Sequence, residues 1–230
     1  MKKTGLNRWC DRVWIKFLCV IATLMTGLIL LNWNTWSTEL KLIAAIAVLI
    51  PLHVLEEWVF PGGFHYQYNS FFGSALPDRY PMCRLTDMIT NLAGTILYII
   101  LTALCIIRGE VSSGMLLGTI VFCFLELVVH TVFGIFMYVK LKAKGKTTIY
   151  GPGSITAYWG FTVFGVILLH CMEGRTILSG DWIEAGIILL IIAVGCILLP
   201  ENLLKKRDTQ YYFENNGYYD KFLKNVSRTN

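Results

Sequence analysis

The chain has 230 residues, 55% of them hydrophobic and only 15% charged, where charged residues approach roughly a quarter in soluble domains. That composition excludes an ordinary water-soluble protein. The net charge of +5 is explained by basic loops and implies no nucleic-acid partner.

Apolar stretches of about 18 residues or more read as membrane spans, and six occur in order. The first, about Val13–Leu31, follows a basic stretch with Lys2, Lys3, Arg8, Arg12 and Lys16. Its apolar run is too long for a signal-peptide core, and the NWNTWSTE behind it offers no small-x-small cleavage site, so it reads as a retained anchor. The second is about Leu40–Phe60, the third about Met88–Ile107 and the fourth about Met115–Val139. The fifth, about Ile155–Met172, and the sixth, about Ile183–Leu199, complete the set.

Helices are the expected spanning element, because a barrel would show ~10-residue alternating segments. The fold class expected is therefore all-α: a polytopic six-helix membrane bundle over residues 1–200, followed by a polar tail at 201–230. Arg79 and Arg84 follow the second span, Lys140, Lys142, Lys144 and Lys146 the fourth, and Lys205, Lys206 and Arg207 the sixth. This alternation predicts both termini in the cytoplasm, with the chain in a cell membrane, a bacterial inner membrane being the expected one. The seven cysteines form no CxxC pair, which argues against a disulfide framework or a thiolate zinc site.

The long connection at 61–87 is rich in Gly, Pro and aromatics and reads as an ordered interfacial loop.

The polar residues inside the spans carry the functional signal. His53, Glu56 and Glu57 stand at i, i+3 and i+4 in the second span, behind Pro51. Glu126 and His130 stand at i, i+4 in the fourth, and Asp87 and Asn91 at the start of the third. Ionisable groups at membrane depth cost on the order of 2.5–3.5 kcal/mol each and need partners, protons or a metal. If these faces converge, two imidazoles and several carboxylates suit a divalent Zn, Fe or Mn ion better than Ca or Mg. The alternative is a proton-sharing Glu–His network that only stabilises the fold. The expected metal ligands are His53, Glu57, Glu126 and His130, with Glu56 as general base. Asp87, Asn91, Tyr150 and His65 are expected around them, and His170 at the opposite interface.

His53-Val54-Leu55-Glu56-Glu57, a further membrane histidine and Tyr150-Gly151-Pro152-Gly153 together resemble the HXXEE family of bacterial membrane proteins. That family has an HxxEE motif, another histidine and a YxPG motif; here the second histidine matches His130, with His65 as the alternative. The resemblance implies an integral membrane protein and supplies no reaction. The residues themselves lead to a metal-dependent membrane enzyme, a hydrolase, acting among membrane lipids on a lipid, isoprenoid or other embedded hydrophobic substrate. An iron oxygenase would call for more histidines. A proton-coupled carrier or a non-catalytic accessory protein are the other readings of such a cluster.

Overall fold

The computed structural model describes residues 5–223, apart from the Arg12 side chain. Lys2, Lys3 and the end of the polar tail, 224–230, lie outside the described residues. Regular structure within the described residues is helical throughout. We number the principal helices α1 (Trp14–Leu31), α2 (Thr38–Trp58), α3 (Phe64–Phe71), α4 (Arg84–Arg108), α5 (Ser113–Lys144), α6 (Ser154–Cys171) and α7 (Ser179–Leu204). All but α3 are long and apolar enough to cross a membrane.

Local chemistry sets the helix ends. The Ser37 hydroxyl accepts from the Leu40 N–H and opens α2; Ser112 does the same for α5 through the Met115 N–H. Gly109, at φ 73°, ends α4 in the left-handed conformation that a side chain would resist.

The centre of the bundle is α2. Half of its apolar window is buried, against 17–39% in the other five. Helices α1 and α4 flank it, while α5 packs on α6 and α7. Where α5 meets α7, Gly118 faces Ala185 and Ile188, a small residue admitting close helix approach. Large apolar side chains cover the outside: Leu31, Ile107 and Trp159 are 87%, 80% and 77% exposed. An apolar coat of this extent around helices that satisfy their own backbone is compatible with a multi-pass membrane protein.

The connection between α2 and α4 holds a helix that its composition does not announce. Buried Asn69, on α3, donates to the carbonyls of Pro77 and Met82 and accepts from the Met82 N–H, so one side chain fixes the loop. The described tail packs back on the same end of the bundle. The Arg84 N–H donates to the Tyr211 carbonyl, Phe213 to Asp78 and Tyr218 to Gly62. Tyr219 is fully buried and donates its hydroxyl to Gln67 Oε1 at 2.5 Å. All seven cysteines are free thiols.

Candidate metal centre

Helices α2 and α5 bring their imidazoles face to face. His53 Nε2 and His130 Nε2 are 3.1 Å apart, and Glu126 Oε2 stands 3.6 Å from each of them. Glu57 Oε1 lies 3.3 Å from His53 Nε2 and 3.5 Å from His130 Nε2. Ligand atoms around a four-coordinate ion with bonds of ~2.0–2.1 Å sit roughly 3.3–3.4 Å apart, so the His53–Glu126–His130 triangle has the dimensions of a metal site. These three residues could hold a metal ion. The expected convergence of the two helices is thus present.

The surroundings orient both rings so that their Nε2 atoms point inward. His53 Nδ1 lies 2.6 Å from the Thr156 hydroxyl. That hydroxyl has only acceptors for its own proton, Glu56 Oε2 at 2.6 Å and the Gly153 carbonyl at 3.2 Å. Thr156 therefore accepts from His53 Nδ1–H, so that in the neutral ring Nε2 carries the lone pair. Across the site, the outer edge of the His130 ring faces the Pro152 carbonyl, without the alignment of a regular hydrogen bond. Phe161 stacks edge-on against His53 and Phe64 lies beside His130, each at 5.3 Å between centroids. Oriented imidazoles of this kind are what metal-ligating histidines require of their surroundings.

Gly153 makes the approach possible. A Cβ at this position would overlap the His130 ring, and its φ of 91° disfavours any side chain. The glycine that closes the Tyr150–Gly153 turn is therefore also the floor under one prospective ligand.

Glu56, expected as general base, is placed differently. Its carboxylate accepts from the Ile155 and Thr156 N–H groups at 3.0 and 2.9 Å, from the Thr156 hydroxyl, and from the Tyr150 hydroxyl at 3.2 Å. It caps the start of α6 and ties that helix to α2. Tyr150, expected at the lip of the pocket, is a donor to Glu56, and burial together with that carboxylate pushes its phenol pKa up. The same turn is held from behind by Lys146, buried and donating to the Tyr150 carbonyl at 2.5 Å. Burial draws its pKa down to about 8.

The remaining expected residues divide. Asp87 accepts from Trp58 Nε1 at 2.6 Å and from Asn91 at 2.8 Å; this pair braces α4 against α2 rather than facing the two Nε2 atoms. His65 stacks on Phe213 at 3.6 Å, outside the cluster. His130, not His65, is the histidine brought to His53. His170 is exposed and paired with Glu173 at 3.0 Å. Sequence reasoning missed Thr156 and Phe161; only the place of Thr156, in the first turn after Gly153, hinted at a capping role.

The centre opens in two directions. The Glu126 side chain is 23% exposed, whereas those of His53, Glu57 and His130 are 8%, 5% and 1% exposed. On the other flank a cavity of about 490 Å³ reaches Glu57 from the end of the bundle where the tail packs; Arg8, Asp11, Trp58, His65, Arg84 and Phe213 are among its lining residues.

A family model described as a protein of unknown function with HXXEE motif matches residues 43–168. That stretch contains both histidines, all three glutamates and the Tyr150–Gly153 turn. No curated protein matches the chain. No solved structure matches it either.

Proposed function

The chain belongs to the HXXEE family, and on that premise we propose that it is a metal-dependent integral membrane hydrolase acting on a membrane lipid. The observation that carries the reading is the pair of Nε2 atoms facing each other 3.1 Å apart, with a carboxylate oxygen 3.6 Å from both. Lone pairs held against each other at this range repel unless a proton or a cation lies between them, and neighbouring carboxylates raise the demand for positive charge.

His53, His130 and Glu126 would hold the ion. Zinc suits two imidazoles and one carboxylate with a position left for water or substrate; iron or manganese would suit the same donors. Bound there, a divalent ion supplies Lewis acidity and a water acidified toward neutral pH. Glu57 then takes the role first expected of Glu56. It stands within 3.5 Å of both nitrogens and lines the cavity, so it can accept a proton from a water entering there. Glu56 and Thr156 act through His53 by fixing its ring. Basic residues at this end of the bundle support placing it on the cytoplasmic side of a bacterial inner membrane.

Protein purified without chelators should contain roughly one equivalent of zinc, iron or manganese per chain, as expected of a single four-coordinate site. Glu126→Gln and His130→Ala should lose it, and with it hydrolysis of lipid in reconstituted vesicles. A metal-free wild type, with both variants changing only the melting temperature, would sink the proposal. Proton-coupled uptake by that metal-free protein would instead identify a carrier.

A further inference from the structure

The last described turns of the tail, 217–223, lie outside the stretch 43–168 that matches the family, yet they pack against the motif turn at 150–153. Backbones meet closely where the tail enters. A Cβ at Gly63 would overlap the Asn216 carbonyl, and one at Gly217 would overlap Gly62. The Tyr218 N–H donates to the Gly62 carbonyl at 3.0 Å. At the motif turn, a Cβ on Gly151 would overlap Gln67 Oε1 and crowd the Tyr219 hydroxyl. A glycine of the motif thus makes room for two side chains, one of them from the tail.

Two lines of contact run from the tail through this turn, and each ends on a different histidine. The first starts at Tyr219, whose hydroxyl donates to Gln67 Oε1 at 2.5 Å, while Gln67 Nε2 donates to the Pro152 carbonyl at 3.3 Å. That carbonyl is also the group faced by the outer edge of the His130 ring, whose Nδ1 has no regular hydrogen bond. One carbonyl oxygen has two lone pairs and can serve both. The second line starts at the rings of Tyr218, Tyr219 and Phe222, which stand 4.8, 5.8 and 5.7 Å from the Lys146 ammonium. Lys146 is buried, and no carboxylate pairs with it among the described residues. Aromatic faces and the Tyr150 carbonyl are what offset the loss of water around that charge. The line continues from Tyr150, whose hydroxyl donates to Glu56 at 3.2 Å, and Thr156 joins Glu56 to His53 Nδ1 through contacts of 2.6 Å.

We propose that the tail is a clamp on the metal centre: Tyr219 positions His130 through Gln67 and Pro152, and Tyr218 positions His53 through Lys146, Tyr150 and Glu56. Both tyrosines are positioning residues and touch neither ion nor substrate. Without the aromatic faces the ammonium turns to water and releases the Tyr150 carbonyl; without the Tyr219 hydroxyl Gln67 no longer holds Pro152. Lifting the tail therefore loosens both prospective ligands together and weakens metal binding. This deepens the hydrolase reading by naming how its site is regulated, and it rests on that reading only for the metal. The ring positions belong to the metal-free protein as well.

Nitrogen NMR of the labelled imidazoles in the full-length, metal-free protein tests the clamp, because ring nitrogens report their own hydrogen bonds. Tyr219→Phe removes one hydroxyl, keeps the ring, and should shift the His130 resonances most. Tyr218→Leu takes the nearest ring from Lys146 and should shift those of His53 most. Lys146→Met attacks that second line from its other end and carries the test if Tyr218→Leu fails to fold. Zinc affinity, read by competition with a chromophoric chelator, should fall about two- to thirtyfold in each variant, the range for residues acting through a contact network. A general loosening of the fold would lower the melting temperature without dividing the shifts between the two rings. Unmoved histidine resonances, or the same ring moving most in every variant, would overturn the inference. Divided shifts in a protein that binds no zinc would sink only the hydrolase reading. Zinc held as tightly by the variants as by the wild type, with both rings unmoved, would sink only the clamp.

Discussion

A side chain at position 153 would have to occupy the space of the His130 ring, and that ring has Phe64 beside it. Gly153→Ala therefore meets two penalties, a clash and a left-handed φ of 91°, costing about 1–3 kcal/mol of stability. Because relief comes by pushing His130 off its position, metal affinity should fall at least about tenfold, as loss of ligand orientation does. A competition titration with a chromophoric chelator checks this; an unchanged affinity would mean the ring is not held by this backbone. The adjacent glutamates should separate just as sharply. Glu56→Ala leaves two N–H groups and the Tyr150 hydroxyl without their acceptor, while the Thr156 hydroxyl keeps the Gly153 carbonyl, and should cost several kcal/mol, at about 1–3 kcal/mol per stranded buried group. Glu57→Gln should melt close to wild type yet lose hydrolysis. Paired melting and turnover measurements decide, and equal melts for the two variants would refute the division of labour. The i, i+3, i+4 spacing in α2 placed both carboxylates on the side of His53. It could not say which one meets the second histidine, since consecutive residues point about 100° apart and the choice depends on where α6 enters.

At the scale of elements, hydropathy located all six long helices, because a 30 Å apolar layer imposes a length that composition alone reveals. The ends were less legible: they follow from Ser37, Ser112 and Gly109, whose effect is local and independent of apolar count. Helix α3 was hidden in a connection of mixed polarity, and it exists because Asn69 finds three backbone partners that only the folded loop supplies. Where α5 meets α7 stand Gly114 and Gly118, four residues apart, facing Glu184 and Ile188. A Cβ at Gly118 would meet Ile188 side-chain atoms at 3.3 Å, so Gly118→Val should wedge the two helices apart and cost about 1–3 kcal/mol. Since α7 contributes none of the three prospective ligands, the metal content of the folded variant should stay at the wild-type level. A stoichiometric loss of metal in the folded fraction would show that α7 positions α5 at the site, contrary to the geometry.

Over the whole molecule, the centre, the cavity and the tail gather at one end, and the tail holds the cavity wall through His65. The Phe213 ring lies on that imidazole at 3.6 Å, while the Asn215 backbone bonds it. Nothing in the tail's sequence predicts this, because Phe213 and His65 are distant in the chain. A pH dependence follows. The His65 pKa is about 3 when buried, against an ordinary value of 6.5. Between these two limits the open form binds a proton that the closed form does not. Closure is therefore undiminished above about pH 6.5 and weakens as pH falls below it, by up to about 1.4 kcal/mol per pH unit. Asp11 and Glu214 share the cavity with Arg8 and Arg84. Hydrogen exchange at the Phe213 and Tyr218 amides, both donors to the loop, reports the closure directly. Protection should drop between about pH 7 and pH 5, the range in which a released histidine charges. In His65→Phe, which keeps the stack and removes the titrating nitrogen, protection should stay level across that range. Wild-type amides equally protected at both ends would show that the tail is held without any contribution from the neutral ring.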